Sequence, residues 1–334
     1  MSVTPAEWSD PAELADAVEK RDRGAIAAAL NLLDDRRPDA RERASTLASR
    51  LAARPVRGAH VVGITGPPGS GKSSLTSALI GTWRETGRTV GVLAVDPSSP
   101  RTGGALLGDR IRMLRPQGDD GVFIRSLASR GELGGLSPEA GPMSLVMLAA
   151  FDVVVVETVG TGQSEIDVSE LADTTCCVIQ PASGDSIQFL KSGIMEVPDV
   201  FAVSKADMGV FAERTARELA GALPRRSEGE WTVTVTLVSS RTGLGVTELA
   251  RAFDAHRAWL EPGGKLDEHR RRHQARWVLK RVREEFGAHG VDRIGGAEGV
   301  LTELLRDSAS PLTRYEDLRR RIFSLYGSPE GANT

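Results

Sequence analysis

The run GPPGSGKS at 66–73 constrains the fold more than any other feature. It sits between the apolar HVVGIT and the helix-like SLTSALIGTW. It matches G-x-x-x-x-G-K-[ST] in the strand–loop–helix setting that the pattern's chemistry requires. Glycines let successive backbone N–H groups converge on phosphate oxygens, and the following helix points its positive dipole end at the same place. A turn with no ligand has no use for an adjacent lysine and hydroxyl. Gly66, Gly69, Ser70, Gly71, Lys72, Ser73 and Ser74 are therefore the expected phosphate-binding residues. Lys72 is expected to reach the β- and γ-phosphates, which gives it a catalytic role, and Ser73 to offer its hydroxyl to Mg2+.

Between about 57 and 260 the chain alternates apolar runs with helical patterns. HVVGIT, TVGVLAV, VFIRS, FDVVVVET, TTCCVIQ, VFAVS and WTVTVTLVS read as strands. Most are continuously apolar, as strands covered on both faces must be. The expected fold is α/β: a P-loop NTPase with a doubly wound, mostly parallel sheet flanked by helices, carrying its ligand at the carboxyl ends of the strands. Residues 1–56 read as an N-terminal helical extension. Asp10 and Pro11 suit an N-cap and first turn, a second helix fits GAIAAALNLLDD, and a third follows Pro38 and ends before Pro55. Residues 261–334 read as a C-terminal helical arm that opens on Pro262, Gly263 and Gly264. Within it, Ala275, Val278, Leu279, Val282 and Phe286 share one helical face. HRRRH at 269–273 reads as a solvated helix face rather than a phosphate site.

The unusual polar residues collect at strand ends. Asp96 closes the second strand, Asp109 follows in the same glycine-rich loop, and Glu157 closes a run of four valines. Mg2+ prefers hard oxygen ligands and keeps several waters, so Ser73, Asp96, Asp109 and Glu157 form the expected metal set. A carboxylate ending a buried strand is costly without a partner, which argues for a working role for Glu157. Glu157 and Gly160 have the D-x-x-G spacing with Glu in place of Asp, so the Gly160 N–H is expected to sense the γ-phosphate. The nearest glutamine, Gln163, lies three residues further on, which predicts slow hydrolysis without a partner. The stretch FAVSKAD at 201–207 follows. Asp207 suits a base reader because guanine offers paired N1–H and N2–H donors that adenine lacks. The Lys205 stem can lie over the ring. Ser204 is shorter than the Asn common at this position, which predicts looser binding. Ser239 and Ser240 in VSSRTGLG end the next strand, where their backbone would meet the base.

The rest of the sequence excludes other classes. Lys and Arg total 42 against 45 Asp and Glu, for a net charge of -3, which argues against a nucleic-acid partner. Cys176 and Cys177 are adjacent and have no third cysteine, so neither a disulfide framework nor a CxxC metal site is expected. No run approaches the ~20 apolar residues of a membrane span. The N-terminus lacks the apolar core of a signal peptide, and a cytoplasmic location is expected.

In order and spacing, VDPSSPRTGG, LGDRIRM, ELGGL, VVVVETVGTGQSE, SGDSIQFLKSGI and the KAD of 205–207 resemble the MeaB/ArgK family of the SIMIBI branch of P-loop GTPases. The resemblance covers nearly the whole chain. It implies a cytosolic GTPase with GTP/GDP and Mg2+ as cofactors, dimeric through its C-terminal helices. Its implied partner is an adenosylcobalamin-dependent acyl-CoA mutase such as methylmalonyl-CoA mutase, whose cofactor loading it gates as a chaperone. Carried over by position, Gly69, Gly71, Lys72 and Ser73 contact phosphate; Ser73, Asp96, Asp109 and Glu157 serve Mg2+; Asp207 serves the base. Lys191, kept from a family segment with two lysines, joins Lys72, Glu157 and Gly160 as a catalytic candidate. The helix before the fourth strand, SPEAGPMSLVML with Pro138 and Pro142, is expected to be proline-broken. Three other readings are an ArgK-like protein kinase, a nickel-type metallochaperone GTPase and a nucleotide-sensing module with negligible turnover. The lack of Cys/His clusters tells against the nickel reading.

Overall fold

Strand β1, His60–Thr65, is buried at every position, as its unbroken apolar run requires. It lies near the middle of a seven-stranded sheet in a computed structural model that describes residues 8–53, 58–96, 119–128, 139–158, 168–181, 198–224, 227, 229–307 and 309–327. Beyond β1 the strands are β2 Val90–Asp96, β3 Val122–Ala128, β4 Val153–Glu157, β5 Thr174–Ile179, β6 Val200–Val203 and β7 Thr234–Leu237. Their order is β3-β2-β4-β1-β5-β6-β7, and every pair is parallel. The chain winds outward from β1 to one side, returns in β4, and crosses to β5 on the other side. The carboxyl end of β1 is thus the topological switch point where open α/β sheets bind ligands.

The described residues divide into two compact units. One contains 58–140 and 151–266; the other contains 1–57, 141–150 and 267–334.

In the sheet unit, period-two alternation sends successive side chains to opposite faces. Val62, Ile64, Val92, Val155, Cys176 and Val178 pack on one face with Leu75, Leu79 and Trp83 of α4 (Lys72–Glu85) and with Leu249 and Phe253 of a later helix, Val246–Leu260. Cys177, Ile179, Phe201 and Val203 pack on the other face with Ala212 and Leu219 of the helix Val210–Ala222. The adjacent cysteines therefore face opposite ways, both are buried thiols, and burial raises the Cys176 thiol. The expected strand WTVTVTLVS is shorter than the sequence suggested and half-buried, because β7 is an edge.

At the amino ends of the strands lies a buried polar chain. The His60 ring meets Thr174 Oγ1 at 2.7 Å, and the same oxygen meets His256 Nδ1 at 2.8 Å. His60 is 1% exposed, and burial pushes its pKa down to about 3.

The other unit is helical. Asp10 caps α1 (Pro11–Glu19), accepting from the Ala12 N–H at 2.8 Å, and Asp22 caps α2 (Arg23–Asp34) in the same way. Helix α3 spans Pro38–Ala52. Its Ser49 bonds Thr313 of the last helix, Pro311–Gly327, at 2.7 Å, so residues from both ends of the chain share one unit. Ala275, Val278 and Val282 form its core with Leu304, Tyr315 and Ile322, and Leu279 and Phe286 pack against it. The expected break at Pro142 does not occur: α5 runs unbroken over Ala140–Ala150. Pro142 falls in its first turn, where a missing N–H costs no helical hydrogen bond. HRRRH lies on the long helix Lys265–Arg293, with His269 and His273 rings 4.0 Å apart and Arg272 paired to Glu268. Among the described residues no helix is long and apolar enough to cross a membrane.

His60 generates a pH prediction. An exposed His titrates near ~6.5 in an unfolded chain, while the folded site holds it neutral down to about 3. This contribution to stability is complete above the unfolded value and falls away as pH drops through that window, by about 1.4 kcal/mol per pH unit. Denaturant unfolding of wild type and His60→Gln from pH 7 to 4 should show a steeper acid loss in the wild type. Parallel curves would contradict it.

Candidate nucleotide site

The phosphate loop leaves β1 at Gly66 and enters α4 at Lys72, the order the motif demanded. Gly66 has φ 135°, and a Cβ there would lie 2.2 Å from the Val178 carbonyl oxygen of β5. Only glycine lets the loop cross that strand so closely. Gly69 and Gly71 also take positive φ, the kind of backbone from which anion-binding nests are built. Lys72 is 7% exposed, with Nζ donating to the Gly66 carbonyl at 2.8 Å and the Pro67 carbonyl at 3.1 Å. Its ammonium is thereby held over its own loop. The Ser70 side chain is buried, and its hydroxyl has no hydrogen-bond partner among the described residues. Ser74 is exposed on the first turn of α4.

Glu157 is the most constrained group in the site. It is 4% exposed at the end of β4, in register with Ile64 of β1. Ser73 Oγ donates to its Oε1 at 2.6 Å and Thr76 Oγ1 to its Oε2 at 2.8 Å. The structure thus unites two of the four expected metal-site residues, Ser73 and Glu157. It adds Thr76, which sequence reasoning missed although it stands three residues after Ser73 on the same helix face. Asp96 ends β2, two residues beyond Ala94, the register partner of Glu157. Its backbone is at the same edge, and its side chain lies outside the description. Asp109, Gly160, Gln163 and Lys191 lie outside the described residues.

The second half of the site follows β6 and β7. Ser204 is buried, and its hydroxyl has no hydrogen-bond partner among the described residues. Lys205 takes left-handed φ 54°, uncommon for a side-chain-bearing residue. That turn sends its Nζ to the Gln180 Oε1 at 2.5 Å and the Gly69 carbonyl at 3.4 Å, tying the base motif to the phosphate loop. Asp207 accepts from Ser239 Oγ at 2.7 Å on Oδ1 and from Arg241 at 2.8 Å on Oδ2. The Ser239 hydroxyl, with the Arg241 guanidinium beside it, holds the Asp207 carboxyl below the usual carboxylate range. Ser240 is exposed beside them. Of the two strand ends, Ala206 N–H donates to the Val238 carbonyl at 2.9 Å, so the base motif and the serine loop are joined through the backbone as well.

A glycine-rich loop that leads into a helix N-terminus, a buried carboxylate beside a hydroxyl, and a partly exposed carboxylate between two strand ends suit a nucleoside phosphate. Comparison with known proteins decides which one. Residues 26–293 match the family described as Methylmalonyl Co-A mutase-associated GTPase MeaB. The chain belongs to that family. A protein of Pyrococcus horikoshii that carries the name GTPase is 46% identical over 266 residues, covering 78% of this chain and 81% of that one. GTPase ArgK of Escherichia coli is 35% identical over 331 residues, covering 94% and 98%. The mouse mitochondrial methylmalonic aciduria type A homolog is 32% identical over 286 residues, covering 81% and 68%. Among solved structures, one titled LAO/AO transport system kinase superposes with TM-score 0.68 at 26% identity, covering 96% of this chain and all of that one. This MeaB-family member is a GTPase with the P-loop NTPase fold.

Replacing Asp207 by Asn keeps the shape and removes the carboxylate expected to accept from guanine N1–H, so it tests that role. Losing a hydrogen bond to a charged group costs about 1.5–3 kcal/mol, or roughly 10- to 150-fold in affinity. Competition binding with GDP and XDP should show Asp207→Asn weakened for GDP by that factor and shifted toward XDP. Unchanged GDP preference would remove Asp207 from base reading.

Proposed function

We propose that this GTPase is a cytoplasmic chaperone of an adenosylcobalamin-dependent acyl-CoA mutase, such as methylmalonyl-CoA mutase, and gates cofactor loading through its nucleotide state. The match to a family described as mutase-associated, running through the whole nucleotide site and into both helical segments, is the observation that carries this reading. Exposed Phe323, Tyr326 and Leu305 on the C-terminal helices support a homodimer formed there.

In this reading Lys72 and the N–H groups of 66–73 bind the β- and γ-phosphates, and Asp207 reads guanine. Ser73 and Glu157 provide hard oxygens 2.6 Å apart, a donor set that fits Mg2+, and Asp96 and Asp109 are proposed to complete it. When bound, Mg2+ neutralises charge on the β- and γ-phosphates. Gly160 and Lys191 are proposed to face the γ-phosphate. Hydrolysis without the mutase is proposed to be slow, because Gln163 is displaced from the usual water-positioning place.

The relative titled a kinase supports a second reading, phosphoryl transfer to a protein. Steady-state GTP hydrolysis should rise severalfold when a purified acyl-CoA mutase of the host is added, with phosphate released to water. Hydrolysis indifferent to every such mutase would overturn the chaperone reading, and label retained on protein would favour the kinase.

A further inference from the structure

We infer that Arg241 is a positioning residue of the base site, setting guanine affinity by fixing how the Asp207 carboxylate faces the base. The inference rests on the reading of Asp207 as the guanine reader. An ionised carboxylate has about four lone-pair positions, two on each oxygen. Ser239 Oγ takes one on Oδ1 at 2.7 Å, and Arg241 takes one on Oδ2 at 2.8 Å. The Asp207 backbone N–H also bonds the carboxylate, which leaves acceptor capacity for a ligand. A pair of parallel donors such as guanine N1–H and N2–H suits a carboxylate, and adenine has no such pair.

Arg241 stands on an ordered turn. Gly243 N–H donates to the Ser239 carbonyl at 2.9 Å, Ser239 N–H to the Leu244 carbonyl at 2.8 Å, and Thr242 N–H to Ser239 Oγ at 3.3 Å. The same turn therefore aims both groups that grip Asp207. A Cβ on Gly245 would fall 1.8 Å from the Leu237 carbonyl oxygen, so the backbone closes the turn tightly against β7. Lys205, the other cation of the base motif, is turned away toward Gly69 and Gln180. Among the described residues, Arg241 is thus the cation that touches the Asp207 carboxylate. The pair is exposed, at 77% for the Arg241 side chain and 25% for Asp207, and exposed pairs add little to stability. Its effect falls on ligand binding instead.

The test is a titration of a fluorescent GDP analogue against full-length wild type, Arg241→Ala, Arg241→Lys and Asp207→Asn from about pH 8 down to about pH 3, a span that reaches the carboxylate range, with melting curves at each pH. Removing a charge-assisted contact from an exposed site should weaken GDP about 3- to 10-fold. Without Arg241 the Asp207 carboxyl protonates more readily, so the acid loss of binding should move to higher pH. Arg241→Lys keeps the charge and should recover most of that pH shift but less of the affinity. Melting temperatures should match the wild type. Wild-type affinity and an unmoved acid limb in Arg241→Ala, beside a weakened Asp207→Asn, would overturn this inference alone. An unweakened Asp207→Asn would overturn the base reading and this inference together.

Discussion

The nucleotide half of the molecule depends on how one buried charge is satisfied. Glu157 ends a strand of four valines with 4% of its surface exposed. Removing an ionised carboxylate from water costs several kcal/mol even after relaxation. Hydrogen bonds to a charged group return about 1.5–3 kcal/mol each, so the hydroxyls of Ser73 and Thr76 are of the size needed to hold it. Both hydroxyls come from the first turns of α4. The bonds that keep Glu157 buried therefore also pin the helix whose N-terminus faces the phosphate loop.

The base half rests on the same economy. The Asp207 carboxylate is held by a serine and an arginine from the turn after β7. The Lys205 side chain reaches back to Gly69. Phosphate loop, base motif and serine turn thus form one connected polar network around the switch point of the sheet, each member supplied by a different strand end.

Much of this was legible in the sequence. Continuous apolar runs mark strands buried on both faces, and the glycine–lysine–serine pattern has so few structural uses that it fixes loop and helix together. Glu157 was legible because a carboxylate after four valines needs a reason. Thr76 was within reach, since three-residue spacing puts it on the face of Ser73, but a lone threonine in a helix carries no signal of its own. Arg241 was not legible, because nothing local says which carboxylate an exposed arginine meets. Pro142 misled for a physical reason: proline breaks a helix interior but is accepted in a first turn, and the sequence does not say where the turn begins.

Calorimetric titration of GDP into wild type and Glu157→Gln, each with and without Mg2+, tests the central claim most directly. Gln keeps the shape and can still accept from one hydroxyl, but it carries no charge for a cation. The account predicts that Mg2+ tightens GDP binding to the wild type and that Glu157→Gln loses that gain while binding GDP without Mg2+ about as well. An equal Mg2+ effect in both proteins would contradict it.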